Sequence, residues 1–439
     1  LKSNASDFLE LAENVYIDAC AKCSADVFDL RDLETIRSRV KDEGVSFLTI
    51  TLPNFAKAFE RSLSLGFIDS ALFAGFNIRN GVSIPDFLQG MTSLVFNRKT
   101  GKVIIDDSPI TRGMDNDFPT LVEAVRQICL TFKKVEIECA PERVHASLFS
   151  FTEVEQSFES FSPHSETVSK FLDVSDLLWP SMVRDFSPST ISPKHGPGAT
   201  AEGISGNQKY SWQRWHDRLE PYFPLCDSGY PLGVVNQLEE LMVVAMVPEL
   251  EEQPVRVVTV PKTLKSPRII AIEPCCVQYA QQGIRDYLYD KLESYRYTSG
   301  HLNFEDQSVN QKLAIYASST GLLATIDLSD ASDRVPRDLA LEMFRSNPDL
   351  RDAIDSCRSR SAQLPDGQII GPLKKFASMG SALCFPIEAM YFYTICVVAL
   401  LEASGLSCSP RNVFEVTRGL FIYGDDIIVP SVYADAVLD

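Results

Sequence analysis

The chain has 439 residues and a mass of 48.9 kDa, enough for a large buried core and about three domains. With 45% hydrophobic and 23% charged residues it reads as globular, which excludes a disordered tail or a fibre. Acids outnumber bases 59 to 41, a net charge of -18, so a generally basic nucleic-acid coat is excluded and any polyanion site must be a local basic patch.

In chain order, the first 175 or so residues read mostly as amphipathic helix, with apolar positions three and four apart from Ser6 to Ala21 and from Thr120 to Lys133. The chain opens on Leu1 rather than Met, so its natural start is expected to lie upstream, and no signal peptide is seen. Cys20 and Cys23 form a lone C-x-x-C without a second pair at zinc spacing. The eleven cysteines are scattered and odd in number, unlike a secreted disulfide framework, and five histidines are too few for a His-rich metal site. A reducing cytoplasm is the simplest compartment.

Between Trp179 and Thr200 the texture changes. Pro180, Pro188, Pro193 and Pro197, with Gly196 and Gly198, forbid regular helix and mark the expected domain boundary. Lys194 to Thr200 lacks the order of a phosphate-binding Walker loop and reads as a rigid turn. From Lys209 to Arg218 bases alternate with aromatics, as on a single-strand stacking surface; Trp212 and Trp215 are three apart, so helix packing is the expectation.

Val255 to Val260 reads as a strand, and Arg256, Lys262, Lys265 and Arg268 form a basic cluster that no acid interrupts, suited to holding a triphosphate or simply an exposed loop. Val277 to Tyr295 reads as helix. Gly321 to Ile326 reads as a buried strand ending on Asp327, and helix restarts from Arg337 to Arg345. The small-residue stretch Ala377 to Ser381 reads as a loop before a helix that takes Pro386 in its first turn and runs to about Ala403. The longest apolar run, Ala389 to Leu401, is too short to span a bilayer and is expected to be buried.

Leu420 to Tyr423 and Ile427 to Val429 flank Gly424-Asp425-Asp426, a hairpin signature. Adjacent aspartates repel, and a divalent cation would resolve that repulsion; an ordinary surface turn would carry the same residue types. Asp327 at the end of its strand could pair with Asp425 across a sheet to supply the oxygen ligands that magnesium needs. Asp330 lies in the same segment and competes as a ligand, although a helix-start or turn residue is the better reading; Asp333 reads as either a site carboxylate or a helix-start acid. Together these elements predict an α+β core with a mostly antiparallel sheet.

An ordered series of segments resembles the RNA-directed RNA polymerases of the RNA bacteriophages, the levivirus replicase catalytic subunits. It runs through Val260-Pro-Lys-Thr-Leu-Lys-Ser-Pro-Arg268, Ala271-Ile-Glu-Pro274, Asp306-Gln-Ser-Val-Asn-Gln311, Ala324 to Asp333, Leu364-Pro-Asp-Gly367, Ser378-Met-Gly380 and Tyr423 to Ser431. His195 to Thr200 extends it weakly upstream. The resemblance implies a right-hand polymerase: an N-terminal helical region over 1–180, fingers over 181–320, and a palm over 321–439 with a fingers insertion near 335–375. It implies Asp327 and Asp425 as principal ligands of two magnesium ions, with Asp426 beside them and manganese as a substitute. Asp333 looks like the sensor of the ribose 2′-hydroxyl, Ser378 and Gly380 like the loop supporting template and ribose, and Lys262, Lys265 and Arg268 like the triphosphate grip. RNA and nucleoside triphosphates are the implied substrates. Host elongation factors Tu and Ts and a ribosomal protein are the implied partners, in the cytoplasm of a bacterial host and without a membrane. The chain ends at Asp439, where the family continues into a thumb, so a truncated chain is expected. The competing readings are a reverse transcriptase, which uses the same carboxylate logic, and a non-catalytic RNA-binding scaffold of palm shape.

Overall fold

A computed structural model describes residues 2–104, 118–230 and 241–439. The chain divides into two compact units, residues 1–147 with 260–268, and residues 148–259 with 269–439.

The first unit is built of helices, including Lys2–Lys22, Leu30–Glu43, Leu52–Leu65, Gln89–Val95 and Phe118–Leu130. Their apolar stripes meet in a core holding Tyr16, Phe47, Phe55, Phe59, Phe96, Val125 and Phe132. Edge-to-face rings lock its centre, with Phe55 5.4 Å from Phe87 and Phe59 5.7 Å from Phe96. The helical reading of this region therefore holds.

The second unit is organised around the helix Cys384–Ala403. Ile387, Met390, Tyr393, Val397 and Leu400 are all buried, and so are residues on its other sides, as expected of a helix that is apolar all round. Pro386 lies in the first turn, where its missing N–H costs nothing. Trp179 Nε1 donates to Thr394 Oγ1 at 3.1 Å, and Tyr393 hydroxyl donates to the carbonyl of Tyr297. The apolar run extends into a 20-residue helix that by length and composition could cross a membrane, against the expectation that it is too short; 78% of its apolar window is buried in protein, and that burial was expected from the sequence.

Among the described residues, strands form three small sheets, not one. Strands β1 (Arg214–His216) and β2 (Ala245–Val247) pair in parallel. Strands β3 (Val255–Val260), β4 (Arg268–Ile272), β6 (Ala362–Gln363) and β7 (Ile369–Ile370) make a sheet of order β4-β3-β6-β7, in which β3 and β6 are parallel. Strands β5 (Leu323–Asp327), β8 (Phe421–Tyr423) and β9 (Asp426–Pro430) form an antiparallel sheet of order β5-β9-β8. The α+β class stands; the third sheet is antiparallel throughout, the second mixes the parallel β3–β6 pair with the antiparallel β6–β7 pair, and β1–β2 is parallel, so the mostly antiparallel expectation holds only in part.

Two further readings are corrected. Trp212 and Trp215 are not on a helix: a 3-10 turn (Gly206–Tyr210) leads into β1. Tertiary ring packing overrides the i, i+3 spacing, because the indoles meet edge-to-face at 4.9 Å and Trp212 Nε1 donates to the carbonyl of Gly229 at 2.7 Å. Both are buried, so this is core rather than a stacking surface. Nor is β5 buried on both faces: Ile326 is buried while Thr325 and Asp327 are exposed.

The Lys194 to Thr200 turn is held from within. Lys209, itself buried, donates from Nζ to the carbonyl of Gly196 at 2.8 Å and to that of Gly198. His195 packs among Tyr210, Trp212 and Tyr279, and its pKa is pushed down to about 4 by burial and then by the Lys209 charge.

Glu273, at the end of β4, is fully buried and accepts from Ser359 Oγ at 2.5 Å. Burial pushes its carboxyl up to about 7, against the hydrogen bonds from Ser359 and Gln281 and the charge of Arg358. The unfolded chain releases this proton near its ordinary value of 4.5, so the folded state binds the extra proton between about pH 4.5 and 7. The contribution is present below that window and lost as the pH rises through it. Glu273→Gln is therefore expected to gain stability over the wild type between pH 5 and pH 8, read as the shift in urea midpoint at the two pH values.

Candidate active site

The carboxylates are placed by the β8–β9 hairpin. Tyr423 pairs with Asp426 across a two-residue turn of Gly424 and Asp425, so Asp426 is the first residue of β9 and not part of the turn as the sequence suggested. Gly424 has φ +63°, as the first position of such a turn demands. A Cβ there would lie 1.9 Å from Cε2 of Phe385, whose ring packs 5.3 Å from Tyr423 and 5.7 Å from Phe304. The ring has no free direction in which to yield. Gly424→Ala is expected to cost about 2–4 kcal/mol through overpacking and left-handed strain, measured by urea unfolding.

Register does the rest. Strand β5 pairs with β9 so that Ile326 faces Ile427 and Asp327 faces Asp426. Ile326, Ile427 and their neighbour Ile422 on β8 are buried in the main core. One residue along, the side chains turn to the opposite face, which puts Asp327 and Asp426 side by side with Cβ atoms about 5 Å apart. Asp425 stands beside them on the turn, and all three are exposed. Though exposed, the Asp426 carboxyl is partly desolvated, which pushes its pKa up, as do the charges of Asp425 and Asp327, while a hydrogen bond from Gln307 opposes this.

Asp333 is gripped. Lys375 Nζ lies 2.9 Å and Ser378 Oγ 2.7 Å from its Oδ1. The Lys375 side chain is fully buried and its ammonium sits 3.4 Å from the centroid of Phe151. Glu155 accepts from the backbone N–H groups of Lys374 and Lys375, fixing that strand of chain. From the central helix, buried Glu388 faces the same region; its carboxyl is pushed up to about 8 by burial and then by the charges of Asp425 and Asp333. Asp330 has φ +54° and takes no such part: it precedes the 3-10 turn Ala331–Asp333, as a turn residue does.

Gly380 has φ +128°, and a Cβ on it would lie 2.1 Å from the carbonyl oxygen of Ala271. This close approach lets Ala271 N–H donate to the carbonyl of Met379 at 2.8 Å, which anchors the Ser378 loop on β4. Lys262, Lys265 and Arg268 are exposed; the two lysines lie on the β3–β4 loop and Arg268 opens β4, all in the first unit. The loop is held there by Cys139 Sγ and Arg143 Nη1, which donate to the carbonyls of Thr263 and Leu264. Arg256 belongs to the second unit, where its Nη2 donates to the carbonyl of Thr200 at 3.2 Å.

Sequence reasoning assigned no role to Lys375, Glu388 or Gln307. Glu388 did carry a signal, being one of two acids in a twenty-residue apolar helix, with Glu402. Lys375 carried little beyond standing three residues before Ser378.

Among the described residues, no group of three or more His, Cys, Asp and Glu side chains is gathered tightly enough to cage an ion. Magnesium needs no such cage: one or two carboxylates suffice, with water and substrate phosphates completing the shell. The hard oxygens of Asp327, Asp425 and Asp426, near enough for the charges of the first two to add to desolvation in raising the Asp426 pKa, fit that requirement.

Residues 244–439 match the family described as RNA replicase, beta-chain. The RNA-directed RNA polymerase subunit beta of Qbeta virus (strain MX1) is 37% identical over 176 residues, 40% of this chain and 27% of that protein. The corresponding subunit of Enterobacteria phage SP is 36% identical over 186 residues, 42% of this chain and 29% of that protein. The RNA-directed RNA polymerase beta chain of Escherichia phage MS2 is 35% identical over 183 residues, 42% and 30% of the two chains. The matched segment thus spans less than a third of the length of these relatives. Over the segment that carries Asp327, Asp333, Asp425 and Asp426, the chain is similar to the replicase beta chains of RNA phages, as its ordered motifs led one to expect.

Proposed function

We propose that this chain carries the catalytic centre of an RNA-directed RNA polymerase that copies a single-stranded RNA phage genome. The observation that carries the reading is the β5–β9 register, which sets Asp327 opposite Asp426 with Asp425 on the adjoining turn. In this reading the β5-β9-β8 sheet is the palm of a right-hand polymerase. Asp327 and Asp425, with Asp426 beside them, hold two magnesium ions. Bound there, magnesium supplies charge neutralisation on the phosphates and acidifies the attacking 3′-hydroxyl.

The chain's own residues do the positioning. Asp333 accepts a hydrogen bond from the ribose 2′-hydroxyl, and its carboxylate is aimed by Lys375 and Ser378. Ser378 and Gly380 support ribose and template, and Lys262, Lys265 and Arg268 are the triphosphate-gripping cations of the resemblance. By the same resemblance the partners are host elongation factors Tu and Ts and a ribosomal protein, in the host cytoplasm. Fixed geometry and electrostatics supply the rate. The test is incorporation of labelled ribonucleotides on an RNA template with magnesium. Template-dependent incorporation that prefers ribonucleotides supports the reading. A preference for deoxyribonucleotides would favour a reverse transcriptase, and RNA binding without incorporation a scaffold.

A further inference from the structure

The second unit carries a groove of about 520 Å³ that shares no residue with the carboxylate cluster. It lies between the turn that follows the helix Cys275–Ser294 and the short helix Pro410–Val416. Arg296, Arg411 and Arg418 line it with Tyr297 and Phe414, and Glu415 is the acid among its lining residues. The three arginines are exposed, and Phe414 keeps 50% of its surface in water. Two guanidinium groups lie by the rings, Arg296 at 4.6 Å from the Tyr297 centroid and Arg418 at 5.8 Å from that of Phe414.

This patch is not neutralised from within. Arg418 meets Glu415 at 3.4 Å, but both side chains are more than 60% exposed, so the pair contributes little. Arg296 and Arg411 form no ion pair among the described residues, in a chain of net charge -18. An exposed phenyl ring rimmed by arginines combines the two elements that single strands require. Guanidinium forks take phosphates, and an aromatic face takes an unstacked base. A duplex offers no free base to the ring.

We propose that this groove is a binding site for single-stranded RNA, with a base stacked on Phe414 and phosphates held by Arg296, Arg411 and Arg418. The choice of RNA as the polyanion rests on the polymerase reading. Binding is measured without catalysis, so either idea can fail alone.

The probe is a fluorescein-labelled twelve-nucleotide oligo(A) RNA, followed by anisotropy with the full chain at 50 to 200 mM NaCl. Every substituted side chain is exposed, so the variants keep the fold; circular dichroism checks this. The triple variant R296Q/R411Q/R418Q is expected to bind at least tenfold more weakly. Its salt dependence should flatten by about 2, at about 0.7 per phosphate released. Phe414→Ala is expected to weaken binding at least fivefold with the salt dependence unchanged, because stacking releases no counterion. Unchanged affinity in both variants would overturn the assignment. So would polyglutamate competing as well as RNA, which would make the groove a site for acidic protein segments. Equal affinity for duplex RNA with no effect of Phe414→Ala would reduce it to a phosphate patch and likewise overturn it.

Discussion

Asp425→Asn is expected to lower magnesium-dependent ribonucleotide incorporation by more than about 100-fold, since losing even an outer-shell partner of a metal ligand typically costs about 10- to 100-fold. Asp425 occupies a two-residue turn braced by Phe385, so its backbone should not move when the charge is removed. The variant keeps size and shape and loses one negative charge from a cluster whose carboxylates already repel one another. Two measurements separate the causes. Manganese affinity, followed by electron paramagnetic resonance, should fall with activity if Asp425 binds metal. Thermal stability without metal should hold or rise, because one like-charge repulsion is gone. Activity retained within a few fold would exclude Asp425 as a principal ligand.

Replacing Lys375 should produce the largest loss of stability among these variants. Its ammonium is fully buried, sits over Phe151 and pairs with Asp333. Lys375→Met preserves the stem and much of the ring contact but leaves the Asp333 carboxylate without its buried counter-charge. Breaking such a pair from one side costs about 3–5 kcal/mol. The double variant D333N/K375M should recover much of this, because the orphaned charge disappears with its partner. Urea unfolding of the two single variants and the double variant measures the coupling directly. A double variant as unstable as K375M would mean that Lys375 acts through packing on Phe151. In the proposed function the same substitution also loosens the aim of Asp333, so the preference for ribonucleotides over deoxyribonucleotides should fall.

Much of this site is legible in the sequence because its residues are bound to local signals. Gly424 and Asp425 sit between two apolar runs, and that is enough to name a hairpin. Asp327 ends a β-rich run, and Pro386 announces the start of the central helix. Register is a different kind of information. Nothing in the spacing says that Asp327 meets Asp426 rather than Asp425; the buried row of Ile326, Ile427 and Ile422 decides it, since a slip of one residue would turn that row outward. Lys375 stayed hidden for a related reason. Its partners Asp333 and Phe151 lie far away in sequence, and an isolated lysine reads as solvated surface. Trp212 and Trp215 show the opposite failure: their spacing fits a helix, yet ring packing with His195 and Tyr279 holds them on extended chain.

The central helix also sets a problem of timing. Cys384–Ala403 is apolar on every side and has a mean hydropathy of 1.8 over its best window, so it depends on neighbours for cover. Some of them, in Ser165–Leu178 and Cys275–Ser294, are synthesised earlier, but the core strands β8 and β9 follow it. At ordinary rates of translation that interval is on the order of seconds. For that time the ribosome presents a greasy rod as long as a bilayer is thick, with one flank bare. Whatever greets the nascent chain, a chaperone or a membrane, competes with the hairpin that brings Asp425 and Asp426. The hairpin that completes the carboxylate cluster is therefore also part of the cover for which the central helix waits.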